Sequence, residues 1–312
     1  MPKITQKINF PSGLRWTFIA KPEKKEIMAL GREFNFAEQD LKDCLPPCQR
    51  PKLVDHEDYV FMILQFPVYR RQSGTIEASE VDFFIGPDYL VTIFNEELFP
   101  MKEFCEKHQK NTKLQAIYQE KTPAILLYEI LNHLLHACFP MLTHISQDID
   151  AVDKNIFNFN HNRIDIIKEI MRVKRNIVNF RKAMQAHKSV IQKLISKDER
   201  MFNAKKLEIY YNNFVNHTKD IWDFLSNYKD TVDALYEAHE SLVSHRLNQI
   251  IKTLTIFSVI VFPLTLLAAI FSMNTINGMP FLDHPHSFWL VVGIMFCSML
   301  SMVAYFKSKK WL

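Results

Sequence analysis

Two apolar stretches near the C-terminus, Leu254 to Met273 and Phe288 to Phe306, constrain this chain more than any other feature of it. Each has the roughly 20 residues that a helix needs to cross a bilayer core. The connector between them opens with Phe271-Ser272-Met273-Asn274 and closes with Met279-Pro280. The C-terminal part therefore reads as a hairpin of two transmembrane helices. Arg246 and Lys252 precede the first span and Lys307, Lys309 and Lys310 follow the second, whereas Asn274 to Ser287 contains no Lys or Arg. By the positive-inside rule both termini are expected in the cytoplasm and the connector outside. No cleavable leader is read at Met1-Pro2-Lys3-Ile4, which lacks an apolar core, and the expected location is the cell inner (plasma) membrane.

Composition averages over this division. With 312 residues and a formal charge of +4, the chain resembles an ordinary globular protein. Its mild basicity reads as solvated helix faces and gives no reason to expect nucleic acid. The five cysteines are placed in cytosolic or membrane positions, where disulfides are not expected. Cys44 and Cys48 flank Leu-Pro-Pro and read as a turn, since no second Cys/His pair follows at a zinc-site spacing. No Walker-type glycine loop and no spaced nucleophile and base are present, so catalysis and a bound cofactor are not expected.

Four of the six glycines lie before Asp88 and the other two after Asn277, which leaves a long interval fit for uninterrupted helices. Residues 1–122 are expected to form a cytosolic α/β domain. Its strands are read at Leu14 to Ala20, Tyr59 to Tyr69, Val81 to Ile85 and Tyr89 to Phe94, and its helical stretches at Ala37 to Leu45 and at Glu97 to Tyr118 with a break near Asn111. Residues 123–250 are expected to be a stalk of long cytosolic helices. One begins at Pro123 after Thr122 and continues towards Phe157, and a second carries Ile170, Val173, Ile177, Phe180, Met184, His187, Ile191 and Leu194. A third begins near Ala204 with a seam from Leu207 through Tyr211, Phe214, Thr218 and Ile221 to Leu242. No Pro or Gly interrupts it before Pro263, so it is expected to run on into the first span as a rod of roughly 100 Å. Residues 251–273 are then the pore-facing span, 274–287 the outward loop, 288–306 the second span and 307–312 a basic cytosolic tail.

A hairpin of two spans cannot enclose a pore by itself, so transport would require several copies about an axis. Asn248, Thr255 and Thr265, with Ser258 further round, are read as the face turned to that axis.

At these residues the chain resembles the CorA family of divalent-cation transporters. The resemblance rests on Asn248-Gln-Ile-Ile-Lys252-Thr-Leu254-Thr255, Phe262-Pro263-Leu264-Thr265, Ala268-Ala269-Ile270-Phe271-Ser272-Met273-Asn274 and Met279-Pro280, and on the basic ending Phe306-Lys-Ser-Lys-Lys-Trp311-Leu312. It implies a CorA-like α+β membrane protein and a homopentamer gated by its cytosolic domain. Such a protein would take up Mg²⁺ passively, with Co²⁺ or Ni²⁺ as further permeants, and would have Mg²⁺ as a possible regulatory ligand. It implies a selectivity filter at Ser272, Met273 and Asn274, where the family has Gly-Met-Asn. The pore lining would be Asn248, Ile251, Thr255, Phe262 and Thr265, and a hydrophobic gate would form at Ile251, Leu254 and Phe262.

Three features depart from the family pattern. Ser272 replaces the signature glycine, Phe281 stands where the loop has Glu, and Asn213 stands where relatives carry an Asp that binds regulatory metal. Asp220, Asp223 or Asp233 is the expected substitute for that role. Asp283, His284 and His286 read as a solvated outer loop, and Asp148, Asp150 and Asp153 as an exposed helix face. Two alternatives remain at this stage: a zinc-transporting relative of the ZntB branch, and a non-conducting membrane ion sensor or scaffold.

Overall fold

The computed structural model describes residues 5–110, 122–156, 163–196, 204–273, 286–309 and 311. The chain divides into two compact units, 1–236 and 237–312.

In the first unit, strands β1 (Thr5–Asn9), β2 (Arg15–Ala20), β3 (Lys52–Asp55), β4 (Val60–Arg70), β5 (Thr75–Ile85) and β6 (Tyr89–Phe94) form one sheet in the order β1-β2-β6-β5-β4-β3. Only β2 and β6 pair in parallel; every other neighbour is antiparallel. Alternate residues serve opposite faces. Phe61, Ile63, Phe84, Val91 and Ile93 face a smaller core closed by helices α1 (Lys24–Phe34) and α2 (Glu38–Asp43). Met62, Leu64, Phe66, Phe83, Ile85 and Leu90 face the main core. With both faces covered, the central strands read as nearly continuous apolar runs.

The main core continues through α3 (Phe99–Lys110), α4 (Pro123–His136), α5 (Cys138–Ile156), α6 (Arg163–Met184), α7 (His187–Ile195) and the first part of α8 (Ala204–Ser272). Residue 122 thus marks a change of secondary structure inside a shared core. Asn176 on α6 clamps the sheet: its Oδ1 accepts from the Ile76 N–H at 2.9 Å and its Nδ2 donates to the Gly74 carbonyl at 2.9 Å. Gly74 closes the β4–β5 turn at φ +64, and a Cβ there would stand 3.1 Å from Arg172 Nη1. On α8, Leu207, Tyr211, Phe214, Thr218, Ile221, Leu225 and Val232 are buried as the seam predicts. Leu242, its expected last member, is exposed.

Several elements differ from the sequence reading. β1, α1 and β3 are additional, and β5 begins six residues before Val81, at Thr75. The helix expected from Pro123 to Phe157 is two helices that break at Ala137. Pro140 explains the break: inside a helix its ring would collide with the carbonyl four residues back, whereas in the first turn of α5 it is tolerated. The expected second helix also divides, between Met184 and His187.

Within 237–312, α8 continues to Ser272 and α9 spans Ser287–Ser308. Both are long and apolar enough to cross a membrane and are almost wholly unburied by the chain itself. Pro123–Ile156 also passes on length and composition. However, its apolar residues Leu126, Leu127, Ile130, Leu134, Ile145 and Ile149 are packed in the main core.

Candidate functional site

The residues expected to handle ions lie along α8 from Asn248 to Ser272. Asn248, Ile251, Leu254, Thr255, Phe262 and Thr265 are all exposed, Phe262 to 71% and Leu254 to 63%. Apolar side chains this exposed need lipid or another copy of the chain as their neighbour.

These residues do not lie on one straight face. Counted from Asn248 at 100° per residue, Thr255 is about 20° away but Thr265 about 100° away, which corrects the simple stripe. All but Leu254 fall instead on two interleaved sets of sevens: Asn248, Thr255 and Phe262, and, three places later, Ile251, Ser258, Thr265 and Ser272. Steps of three and four with a mean of 3.5 residues keep to one side when helices wind about each other.

The hydroxyls on this seam are turned back onto their own helix. Thr255 Oγ1 donates to the Ile251 carbonyl at 2.8 Å, Thr265 Oγ1 to Val261 at 2.6 Å and Ser272 Oγ to Ala269 at 2.9 Å. With its one proton committed to the backbone, each hydroxyl offers only lone pairs outward. Such a surface accepts hydrogen bonds from the water shell of a cation.

α8 ends at Ser272, and the Met273 N–H closes on the Ile270 carbonyl at 3.2 Å. The final carbonyls of a helix lack intrahelical donors and carry the negative end of its dipole, which favours a cation beyond them. Asn274 follows in the sequence and lies outside the described residues, as do Asp283 and His284.

Asn213, Asp220 and Asp223 are exposed on α8. Asp220 Oδ2 is 3.8 Å from His217 Nδ1, and the His217 ring lies 5.9 Å from that of His136 on α4. Sequence reasoning had not joined His136 and His217 to this position, because their approach is a tertiary contact. Asp233 is held between Lys174 at 2.7 Å and Lys229 at 3.0 Å. Lys174 and then Lys229 draw its carboxyl below the usual range, an arrangement suited to an ion pair and unfavourable for a metal cation.

A second group of titratable residues sits on the smaller core. Asp82 is buried beside Glu80 and Cys44, with one carboxylate oxygen lacking a hydrogen-bond partner. Burial, then the charge of Glu80, raises its carboxyl well above the ordinary range, and burial also raises Glu80. Burial pushes the Cys48 thiol up to about 12 and raises that of Cys44 further. These are the properties of neutral groups. Among the described residues no three His, Cys, Asp or Glu side chains are placed to hold a metal ion.

Comparison with known proteins decides the family. Residues 11–309 match the family model described as CorA-like Mg²⁺ transporter protein. The chain belongs to this family. It is 28% identical over 286 residues to the cobalt/magnesium transport protein CorA of Thermotoga maritima, covering 92% of this chain and 80% of that protein. It is 22% identical over 301 residues to the CorA protein of Methanocaldococcus jannaschii, covering 96% and 92%. The complete structure of the M. jannaschii magnesium transporter superposes with a TM-score of 0.84 at 21% identity, over 96% of this chain and 92% of that one. The full-length CmaX protein superposes with a TM-score of 0.74 at 16% identity, over 96% and 89%. The fold is accordingly the expected CorA-like α+β membrane protein, in a family of transporters rather than enzymes. Membership also accounts for the two exposed apolar helices as membrane spans.

Proposed function

We propose that the chain assembles as a homopentameric channel for passive uptake of divalent cations, chiefly Mg²⁺ with Co²⁺ and Ni²⁺ as further permeants. In this reading the α8 seam lines the pore. The observation that carries it is the pair of interleaved sevens from Asn248 to Ser272, exposed throughout apart from the half-buried Ser258 and studded with acceptor-only hydroxyls. Two spans leave no space shielded from lipid, so symmetry must supply the remaining wall. Mg²⁺ dehydrates reluctantly, and a ring of Asn274 carboxamides would hold the hydrated ion through its waters. Ile251, Leu254 and Phe262 form the apolar constriction that closes the pore by excluding water.

Counted back by sevens, the same two positions include Glu237, Asp230, Asp223 and Asp220, all exposed, and no Lys or Arg as far as Ile209. An acidic approach of this kind concentrates cations. Asp220 and Asp223 would thereby also serve as the cytosolic positions at which internal Mg²⁺ acts on the gate, with both termini in the cytoplasm. An inside-negative potential supplies about 2.3 kcal/mol per charge per 100 mV, roughly twice that for a divalent ion, so no ATP is required. The similarity of the chain to the cobalt/magnesium transport protein of T. maritima supports this choice of cation.

The experiment is Mg²⁺ entry into proteoliposomes under an inside-negative potential, comparing wild type, Asn274→Ala and empty vesicles. Entry abolished by the substitution is expected. Pentamers without entry under any condition would favour a non-conducting sensor, and entry of Zn²⁺ alone would favour the zinc-transporting branch.

A further inference from the structure

Two imidazoles from distant parts of the chain meet at the surface of the first unit. His136 is the last residue of α4 and is exposed, and His217 stands half-buried on α8. Their ring centroids are 5.9 Å apart. Phe139 of α5 stands against both, 6.1 Å from the ring of His136 and, edge-on at 90°, 6.3 Å from that of His217. Its ring limits how far either imidazole can turn, so the pair is held together before anything binds.

The nitrogens are disposed for a metal. His217 Nδ1 faces Asp220 Oδ2 at 3.8 Å, which turns Nε2 to the ligand side. An imidazole that binds metal through one nitrogen commonly has a carboxylate behind the other. A tetrahedral ion held at about 2.1 Å by one nitrogen of each ring sets the centroids roughly 5 Å apart, so a small rotation of the exposed His136 side chain closes the pair on it. The C-terminal end of α4 adds the negative pole of a helix dipole. Among the described residues no third side chain completes a ligand set, so water fills the remaining positions. Neutral imidazole suits Co²⁺, Ni²⁺ and Zn²⁺, whereas Mg²⁺ takes oxygen ligands. The pair therefore distinguishes two kinds of divalent cation by their chemistry.

We propose that His136 and His217 bind a transition-metal cation of the Co²⁺, Ni²⁺ and Zn²⁺ class, with Asp220 orienting His217, and that the bound metal ties α8 to α4 and lowers flux. The regulatory half rests on the channel reading; the binding half does not. α8 is already joined to α4 near its start, where the Tyr211 hydroxyl donates to the Ala124 carbonyl at 2.8 Å. A metal at His217 adds a second tie further along the same helix. A rod held at two points resists the tilt or rotation by which the cytosolic part would work the gate.

The test is Co²⁺ binding to the full-length protein in detergent, by equilibrium dialysis in a large excess of Mg²⁺ that occupies oxygen-donor positions. Wild type is expected to retain Co²⁺. Its affinity should fall at least tenfold in His136→Gln and in His217→Gln, and roughly 10- to 100-fold in Asp220→Asn, which removes the carboxylate behind His217. Unfolding temperatures equal to wild type in metal-free buffer are expected for these surface variants. A second readout needs no variant to define the ligands: Cu²⁺ added to wild type should show hyperfine coupling to two imidazole nitrogens by electron paramagnetic resonance. Co²⁺ retention unchanged in H136Q/H217Q, displacement of Co²⁺ by the Mg²⁺ excess, or a Cu²⁺ spectrum without imidazole coupling would overturn the proposal. Mg²⁺ entry is then read in proteoliposomes loaded with Co²⁺ under an inside-negative potential. Internal Co²⁺ should slow entry several-fold in wild type and leave H136Q/H217Q unslowed; equal slowing in both sinks the regulatory half. Co²⁺ bound at the pair with no Mg²⁺ entry in any vesicle sinks the channel reading and leaves the metal site standing.

Discussion

His187 gives the fold a specific sensitivity to acid. It is fully buried at the start of α7, packed against Phe66 at 4.7 Å and Phe214 at 6.1 Å, with Nε2 2.7 Å from the Gln65 carbonyl. Nε2–H is thus the donor, and Nδ1 is buried without a partner. Burial holds the imidazole down at about 4, from an ordinary 6.5. Because the folded value is depressed, the stabilisation is fully present above pH 6.5. It is lost as the pH falls towards 4, since the unfolded chain takes up a proton that the folded one refuses. The loss amounts to roughly 3 kcal/mol in all, and to between about 2 and 3 kcal/mol by pH 4.5. Other groups titrate over the same range, so the informative quantity is a difference. His187→Gln retains an N–H for the Gln65 carbonyl and cannot ionise. Thermal unfolding of the full-length protein in detergent, followed by fluorescence at pH 7.5 and pH 4.5, should show wild type losing roughly 5–10 °C more than the variant. Equal losses in the two proteins would refute the assignment of this acid sensitivity to His187.

The Glu80–Asp82 pair has the opposite sign. Both carboxyls are raised in the fold, so their stabilisation is present at low pH and lost as the pH rises through the folded values. Asp82→Asn should therefore gain stability relative to wild type on going from pH 5 to pH 8, measured by the same unfolding assay; a gap independent of pH would count against a shared buried charge. Asn176→Ala removes the acceptor of the Ile76 N–H and leaves that buried amide unpaired, a cost of about 1–3 kcal/mol. Hydrogen exchange should quicken first along β5, and unchanged protection there would show that the clamp is dispensable.

The membrane hairpin was legible because its cause is local. Some 20 apolar residues in a row have few other uses, and the lack of Lys or Arg between the two stretches needs no fold to be seen. The α8 seam was legible for a similar reason, since Leu207, Tyr211, Phe214, Ile221 and Leu225 repeat at helical spacing and are buried at that spacing. The central strands were read correctly because a sheet covered on both faces leaves continuous runs of apolar residues. By contrast, α1 was missed: it buries only Ile27 and Leu30 among charged residues and contains a glycine. The breaks at Ala137 and before His187 fall inside continuous apolar periodicities. In the second case what holds the new helix start is the Gln65 carbonyl, 122 residues away in the chain.

The sequence by itself determined that the C-terminal stretches are membrane spans and that long helices precede them. Each follows from nearest-neighbour chemistry: run length, periodicity and residue type. Only the tertiary structure decided which polar groups have partners. It placed His136 beside His217, buried Asp82 next to Glu80, set Asp233 between two lysines and brought Trp311 back over Lys252. Those pairings depend on where distant backbone segments come to rest, and that is fixed by the packing of the core as a whole.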